Sequence, residues 1–232
     1  EYSYLWQNNQ WMQNIESHRV YDDNQNLIFF ERLYNWNGSN YENGYRNEYV
    51  YGENNIVTVR TNSLWNGAEW LNADKLENEY DENGHYVSAI VYLWENNEWI
   101  NWNRYIDWIY NENGFYTEYT IQGWINGEWS NVAKHQFSYD NSNNIIEYLY
   151  QDWIDDSWVS YARNIQSFNN NLQTLYLRQD WIENEWVNNY LILYEYDVND
   201  NQTERLNQSW TNDEWVNIDQ RLYEYDVNDN QT

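Results

Sequence analysis

Apolar and polar residues alternate along this chain in runs of about ten, and each run ends in a cluster of Asn, Asp, Glu or Gly. Runs holding Val57-Thr58-Val59 or Ile145-Ile146 are rich in β-branched and aromatic side chains. They are too short for helices and predict strands. The clusters between them, Asn-Gly, Asp-Asn and Asn-Asn among them, accept the positive φ of tight turns. The pattern therefore predicts hairpin after hairpin.

Two landmarks mark the turns. Tryptophans five apart recur as Trp6 and Trp11, Trp65 and Trp70, Trp94 and Trp99, Trp124 and Trp129, Trp153 and Trp158, Trp181 and Trp186, and Trp210 and Trp215. One further copy pairs Trp36 with Tyr41. In alternation with them stand Tyr21-Asp22, Tyr51-Gly52, Tyr80-Asp81, Tyr110-Asn111, Tyr139-Asp140, Phe168-Asn169, Tyr196-Asp197 and Tyr225-Asp226. The first tryptophans step by 28 to 30 residues, and eight units of 29 account for all 232 residues. A fixed period of this size means a repeat array whose units need their neighbours to fold. The expected fold is all-β: tandem two-stranded repeats in an antiparallel meander of about 16 strands, a β-ribbon or a coiled, solenoid-like sheet. Residues 1–232 read as one continuous array of eight repeats and are expected to be part of a longer chain. Flat, coiled and closed sheets all fit the pattern.

In the fifth repeat the strands are expected at Phe115 to Trp124 and Trp129 to Tyr139, with Ile125 to Glu128 as the loop. Strict alternation puts Trp129, Asn131, Ala133, His135, Phe137 and Tyr139 on one face. In the seventh repeat it puts Val187, Leu191 and Leu193 opposite Trp186, with Ile192 and Tyr194 on the tryptophan's own side. In the fourth, Tyr110 follows Trp99 by eleven residues rather than ten, which predicts a β-bulge in that return strand.

Composition then narrows the partners. Seventeen Trp and 25 Tyr supply the large apolar areas on which folding must rest. With 11 Lys and Arg against 38 Asp and Glu, the net charge of −27 repels phosphate backbones and excludes nucleic acid as a partner. No cysteine is present, which removes disulfides, thiolate metal sites and cysteine nucleophiles. No apolar run approaches a membrane helix. A membrane barrel needs an apolar outer band, and Arg104, Lys134 and Glu147 on one set of positions, with Asp107 and His135 on the other, interrupt both faces.

Taken together, W-x4-W followed by Y-x-Y-D-x-N-x-N resembles the tandem W/Y/D repeat regions of large secreted and surface proteins of Bacteroidota, many of them exported by the type IX secretion system. The resemblance covers the whole chain. The tyrosine half, as in Tyr194-Glu195-Tyr196-Asp197 and Phe137-Ser138-Tyr139-Asp140, also looks like the YD repeat of Rhs and toxin-shell proteins, which form long coiled β-sheets. The paired tryptophans and the longer period depart from that second pattern. The first resemblance implies an extracellular or cell-surface location and a stalk, fibre or adhesive role. Neither brings a catalytic motif, and no enzymatic activity is expected.

Three chemistries remain to be placed. Asp22 with Asn24, Asp197 with Asn199, and Asp226 with Asn228 match the opening of a calcium loop, whose ligands are oxygens at alternate positions. The sixth-position glycine is missing, and Gln208 and Leu33 stand where a closing glutamate belongs, so Asx-turn chemistry is the competing reading and calcium the one cofactor to consider. The tryptophan rows, with the tyrosines, are expected to pack on each other, or else to stack on the sugar rings of a polysaccharide. His18, His85 and His135 fall at different phases of the repeat, so no general base or metal site recurs. The leading expectation is a structural segment of an extracellular filament, fibre or stalk that self-associates through aromatic ladders. A carbohydrate-binding or adhesin surface is the alternative, and an Rhs-like shell the third.

Overall fold

The structure is a computed structural model and describes residues 1–7, 10–226 and 231. Nearly every run between turns is a strand. The first eight are β1 (Tyr2–Gln7), β2 (Gln10–Tyr21), β3 (Leu27–Trp36), β4 (Tyr41–Tyr51), β5 (Val57–Trp65), β6 (Trp70–Tyr80), β7 (Tyr86–Glu95) and β8 (Glu98–Tyr110). There follow β9 (Tyr116–Ile125), β10 (Glu128–Tyr139), β11 (Ile145–Ile154), β12 (Ser157–Asn169), β13 (Leu172–Ile182), β14 (Glu185–Tyr196), β15 (Gln202–Thr211) and β16 (Glu214–Leu222). A 3-10 turn at Glu53–Asn55 is the one helical element among the described residues. Sheet order is chain order, an open meander of 16 antiparallel strands in which β1 and β16 lie at the two edges. The chain divides into two compact units, residues 1–108 with 121–130 and residues 109–120 with 131–232.

The tryptophan-side hairpins close in two ways, set by where asparagine stands. Five of them turn on two residues with positive φ: Asn96 and Asn97 (51° and 63°), Asn126 and Gly127 (53° and 85°), Asp155 and Asp156 (48° and 58°), Glu183 and Asn184 (51° and 67°), and Asn212 and Asp213 (52° and 62°). Positive φ at both central residues matches the twist of the flanking strands. The fifth-repeat loop is accordingly shorter than alternation predicts, because Ile125 and Glu128 are already strand. Where asparagine directly follows the tryptophan, the loop keeps four residues. Asn37 Oδ1 accepts from the N–H groups of Ser39 and Asn40, and Asn66 Oδ1 from those of Ala68 and Glu69.

Most repeats carry two bulges, and these overturn the face assignments. Three residues after the second tryptophan one residue has no cross-strand partner: Ala73 between β5 and β6, Trp102 between β7 and β8, Tyr161 between β11 and β12, Asn189 between β13 and β14, Ile218 between β15 and β16. Each extra residue reverses the alternation beyond it. Leu191 pairs with Leu177 and Gln208, and Leu193 with Leu175 and Leu206, on the same face as Trp181 and Trp186 rather than opposite it. Val187 alone of the three lies opposite. For the same reason Lys134, across from Gln151, shares the face of Trp153, whereas His135 and Phe137 lie with Tyr150 and Tyr148 on the other. The fourth repeat does carry a bulge, the common one at Trp102, and further along the same strand Asp107 takes φ 55°.

A second bulge lies just past each tyrosine-side turn and falls on a β-branched residue: Ile28, Thr58, Val87, Ile146, Thr174 and Thr203. The threonine hydroxyls of Thr58 and Thr174 donate to the Val50 and Ser167 carbonyls that the broken ladder leaves over. Unit 1 differs at β4, where Gly44 occupies the bulge position and pairs in register with Leu33. A Cβ there would stand 2.7 Å from Leu33 Cδ2 and 2.9 Å from the Arg32 carbonyl oxygen, so the backbones approach where other repeats bulge.

Neither unit has a dry core. Among the described residues the buried hydrophobic ones are small, Ala89, Ala133 and Ala162, together with Tyr41, and no large side chain is fully buried. Stability in a sheet of this kind comes from half-buried cross-strand pairs rather than from an interior.

Candidate functional site

The tryptophans form the most regular side-chain array. Each described pair meets directly across a hairpin, as in Trp65 opposite Trp70 and Trp153 opposite Trp158. Ring centroids are 5.4 Å apart in Trp65–Trp70, 4.9 Å in Trp94–Trp99, 5.0 Å in Trp124–Trp129, 4.8 Å in Trp153–Trp158 and Trp181–Trp186, and 4.9 Å in Trp210–Trp215. Interplanar angles of 66° to 69° make five of these edge-to-face contacts, the arrangement the ring quadrupole favours, and Trp65–Trp70 is tilted at 53°. Trp36 and Tyr41 repeat the geometry at 4.9 Å and 64°. The tryptophan rings of these pairs are half-buried, and Tyr41 is buried at 8% exposure. Trp11, by contrast, is 68% exposed. The Trp6 side chain lies outside the described residues.

A cation sits over the second tryptophan of five pairs. Arg46 stands 5.1 Å from the Trp70 ring centroid, Lys75 5.5 Å from Trp99, Arg104 4.8 Å from Trp129, Lys134 5.2 Å from Trp158 and Arg163 4.5 Å from Trp186. Each cation comes from the repeat before the ring it covers, five residues after that repeat's own second aromatic. Acids and amides hold it there: Glu77 binds Lys75 at 2.7 Å, Glu118 binds Lys134 at 3.0 Å, and Gln122 accepts from Arg104 at 2.7 Å. The signal was present in the sequence as an aromatic, four residues, then Arg or Lys in repeats two to six, but alternation counting passed over it. In these five pairs the cation occupies one face of the second ring.

The tyrosine side is built from backbone satisfaction. Asp22 Oδ1 accepts from the N–H groups of Asn24 and Asn26, and Oδ2 from the Asn26 amide. Asp197 does the same with Asn199 and Asn201, and Asp140 with Ser142 and Asn144. The Asn26 amide and backbone hold the Asp22 carboxyl below its usual range, and Asn144 does so for Asp140. At Asp197 burial pushes upward, but the N–H donors of Asn201 and Asn199 outweigh it. Among the calcium candidates, then, both carboxylate oxygens of Asp22 and Asp197 already accept hydrogen bonds inside their own turns. Asp226 is exposed, and Asn228 lies outside the described residues. Among the described residues no group of three or more His, Asp or Glu is placed to hold a metal ion.

Tyrosine hydroxyls and asparagines link repeat to repeat along this rim. Tyr51 donates to the Leu27 carbonyl at 3.0 Å, Tyr80 to Val57 at 3.1 Å, Tyr139 to Tyr116 at 2.8 Å and Tyr196 to Gln173 at 2.8 Å. Asn26 donates to Asn55, Asn113 to Asn143 and Asn144 to Asn171, each at 3.1 Å. On the face opposite the tryptophans His135 stacks on Tyr119 at 4.7 Å and 13°, and its Nδ1 lies 2.6 Å from the Tyr148 hydroxyl. Burial pushes this imidazole down to about 4, so it is neutral at physiological pH. His18 and His85 lie beside Glu16 and Asp81 respectively, and no two of the three histidines come together.

No protein-family model matches the chain, and no curated protein matches it. Among solved structures it is similar to a protein of unknown function from Bacteroides fragilis, at 15% identity over 50% of this chain and 91% of that one, with a TM-score of 0.39. A DUF3836 family protein from Parabacteroides distasonis is 30% identical over 34% of this chain and 72% of its own, with a TM-score of 0.31. A chain of TcdB2-TccC3-TEV matches 93% of this chain at 9% identity and a TM-score of 0.37, and the present chain spans 12% of its length. No helix among the described residues is long and apolar enough to cross a membrane.

Proposed function

We propose that this chain is a structural repeat segment of an extracellular filament, fibre or cell-surface stalk, an array of eight repeats with no catalytic role. The observation that carries the reading is the cation placed by one repeat over the tryptophan of the next, five times over. Among the described residues, the types that recur with the period join neighbouring repeats rather than forming a recurrent reactive cluster. The location follows from the W/Y/D resemblance. Self-association is supported by the sheet edges, where Tyr2 and Tyr4 on β1 and Ile218 and Leu222 on β16 are each more than half exposed. An edge strand of this kind offers a ladder to a second copy.

Electron microscopy of the purified chain tests the reading. Uniform fibres or regular end-to-end oligomers are expected at physiological ionic strength. Dispersed single particles that bind a glycan array through the tryptophan rows would replace it with the carbohydrate-binding alternative.

A further inference from the structure

The sixth repeat carries an open groove on the face opposite the tryptophans. There β11, β12 and β13 form a groove of about 450 Å³, within the range of small-molecule sites. Its floor is Ala162, 4% exposed, whose small side chain leaves the space open. Its aromatic wall is Tyr161, the bulge residue of β12, which stands at 82° to Tyr150 with centroids 5.4 Å apart. Tyr161 remains 54% exposed, so a ring face is open to a ligand. At the same bulge the third, fourth, seventh and eighth repeats carry Ala73, Trp102, Asn189 and Ile218.

Polar groups of both kinds line the groove. Arg178 brings guanidinium donors, with its Nε tied to Asp180 at 3.1 Å. Its counterparts three residues before the first tryptophan, Val91 and Asn207, carry no charge. Asp152 brings a carboxylate already bonded to the Tyr150 hydroxyl. Asn164 brings a buried amide oxygen with no hydrogen-bond partner. An unpaired acceptor at a groove can be satisfied by an O–H or N–H donor from a ligand.

We propose that this groove binds an uncharged pyranose unit of a glycan, its C–H face on Tyr161 and its hydroxyls on Asn164, Arg178 and Asp152. An open aromatic face beside mixed donors and acceptors suits a polyhydroxylated ring. A net charge of −27 disfavours phosphate, and a metal ion would find Asp152 and Asp180 already hydrogen-bonded. The site is separate from the tryptophan rows, so it stands whether or not the chain forms fibres.

Affinity electrophoresis of the full chain through gels holding neutral β-glucan, mannan or xylan tests it. Retardation is expected in at least one gel, and Tyr161→Asn, which installs the residue found at the next repeat's bulge, should weaken it about tenfold or more. Asn164→Leu should abolish retardation while leaving the melting temperature unchanged or raised, because an unpaired buried acceptor is replaced by an apolar group. Trp124→Ala should leave retardation unchanged. No retardation in any gel, or retardation that survives Tyr161→Asn and Asn164→Leu, overturns the proposal.

Discussion

The two ends of each hairpin solve the same problem with different chemistry. On the tryptophan side the turn residues vary freely, from Glu183 and Asn184 to Asp155 and Asp156, because ring packing across the strands does the holding. On the tyrosine side the hydrogen-bonding residues recur, because a particular carboxylate must accept two backbone N–H groups and a particular hydroxyl must reach one carbonyl. Packing tolerates substitution, whereas satisfying buried backbone groups does not. The turn residues are thus held loosely at the tryptophan rim and more strictly at the tyrosine rim, where Gly52, Asn111 and Asn169 are the departures.

The comparison breaks most visibly if a ring pair is removed. Trp153→Ala with Trp158→Ala should cost about 4 kcal/mol in total, since each half-buried ring is worth roughly half the 3 to 5 kcal/mol of a buried one. The loss should open β11 and β12 in hydrogen exchange before distant repeats respond.

Acid should separate the rims and faces next. His135 is held neutral, so the unfolded chain binds the extra proton between pH 6.5 and about 4. Stability should fall as pH drops through that window, and His135→Phe should remove this slope. The turn carboxylates of Asp22 and Asp140 are depressed instead, so their contribution is complete above the ordinary value of 3.8 and is lost as pH falls below it. Exchange at the Asn24 and Asn144 N–H groups should rise only in that lower window.

Smaller changes sharpen the contrast. Arg163→Met should cost about 0.5 to 1 kcal/mol by uncovering Trp186, read from thermal unfolding. Phe168→Tyr should gain about 0.5 to 1 kcal/mol by giving the sixth repeat the hydroxyl that Tyr139 and Tyr196 use on their neighbours' carbonyls. Calcium at matched ionic strength should leave the melting temperature unchanged, as the Asp22 and Asp197 carboxylates are already filled by their own turns.

The strands, their number and their order were legible because aromatic and β-branched runs alternate with turn clusters, and the W-x4-W pairs announced directly opposed rings. The faces were not legible. Asn189 reverses the alternation in β14 without altering the ten-residue spacing from Trp186 to Tyr196, so Leu191 and Leu193 were placed opposite the wrong rings. A bulge common to most repeats leaves no irregularity in the period to betray it. The groove beside Tyr161 was hidden for the same reason, since its residues meet only after the bulge sets their faces.

Imaging across a salt series tests the structural account most directly. With 27 uncompensated negative charges, neighbouring copies should repel strongly at 0.01 M salt, where the Debye length is about 30 Å, and much less at 0.15 M, where it is about 8 Å. The account predicts dispersed particles in the first condition and fibres or regular end-to-end oligomers in the second. Single dispersed particles at every salt concentration would contradict it.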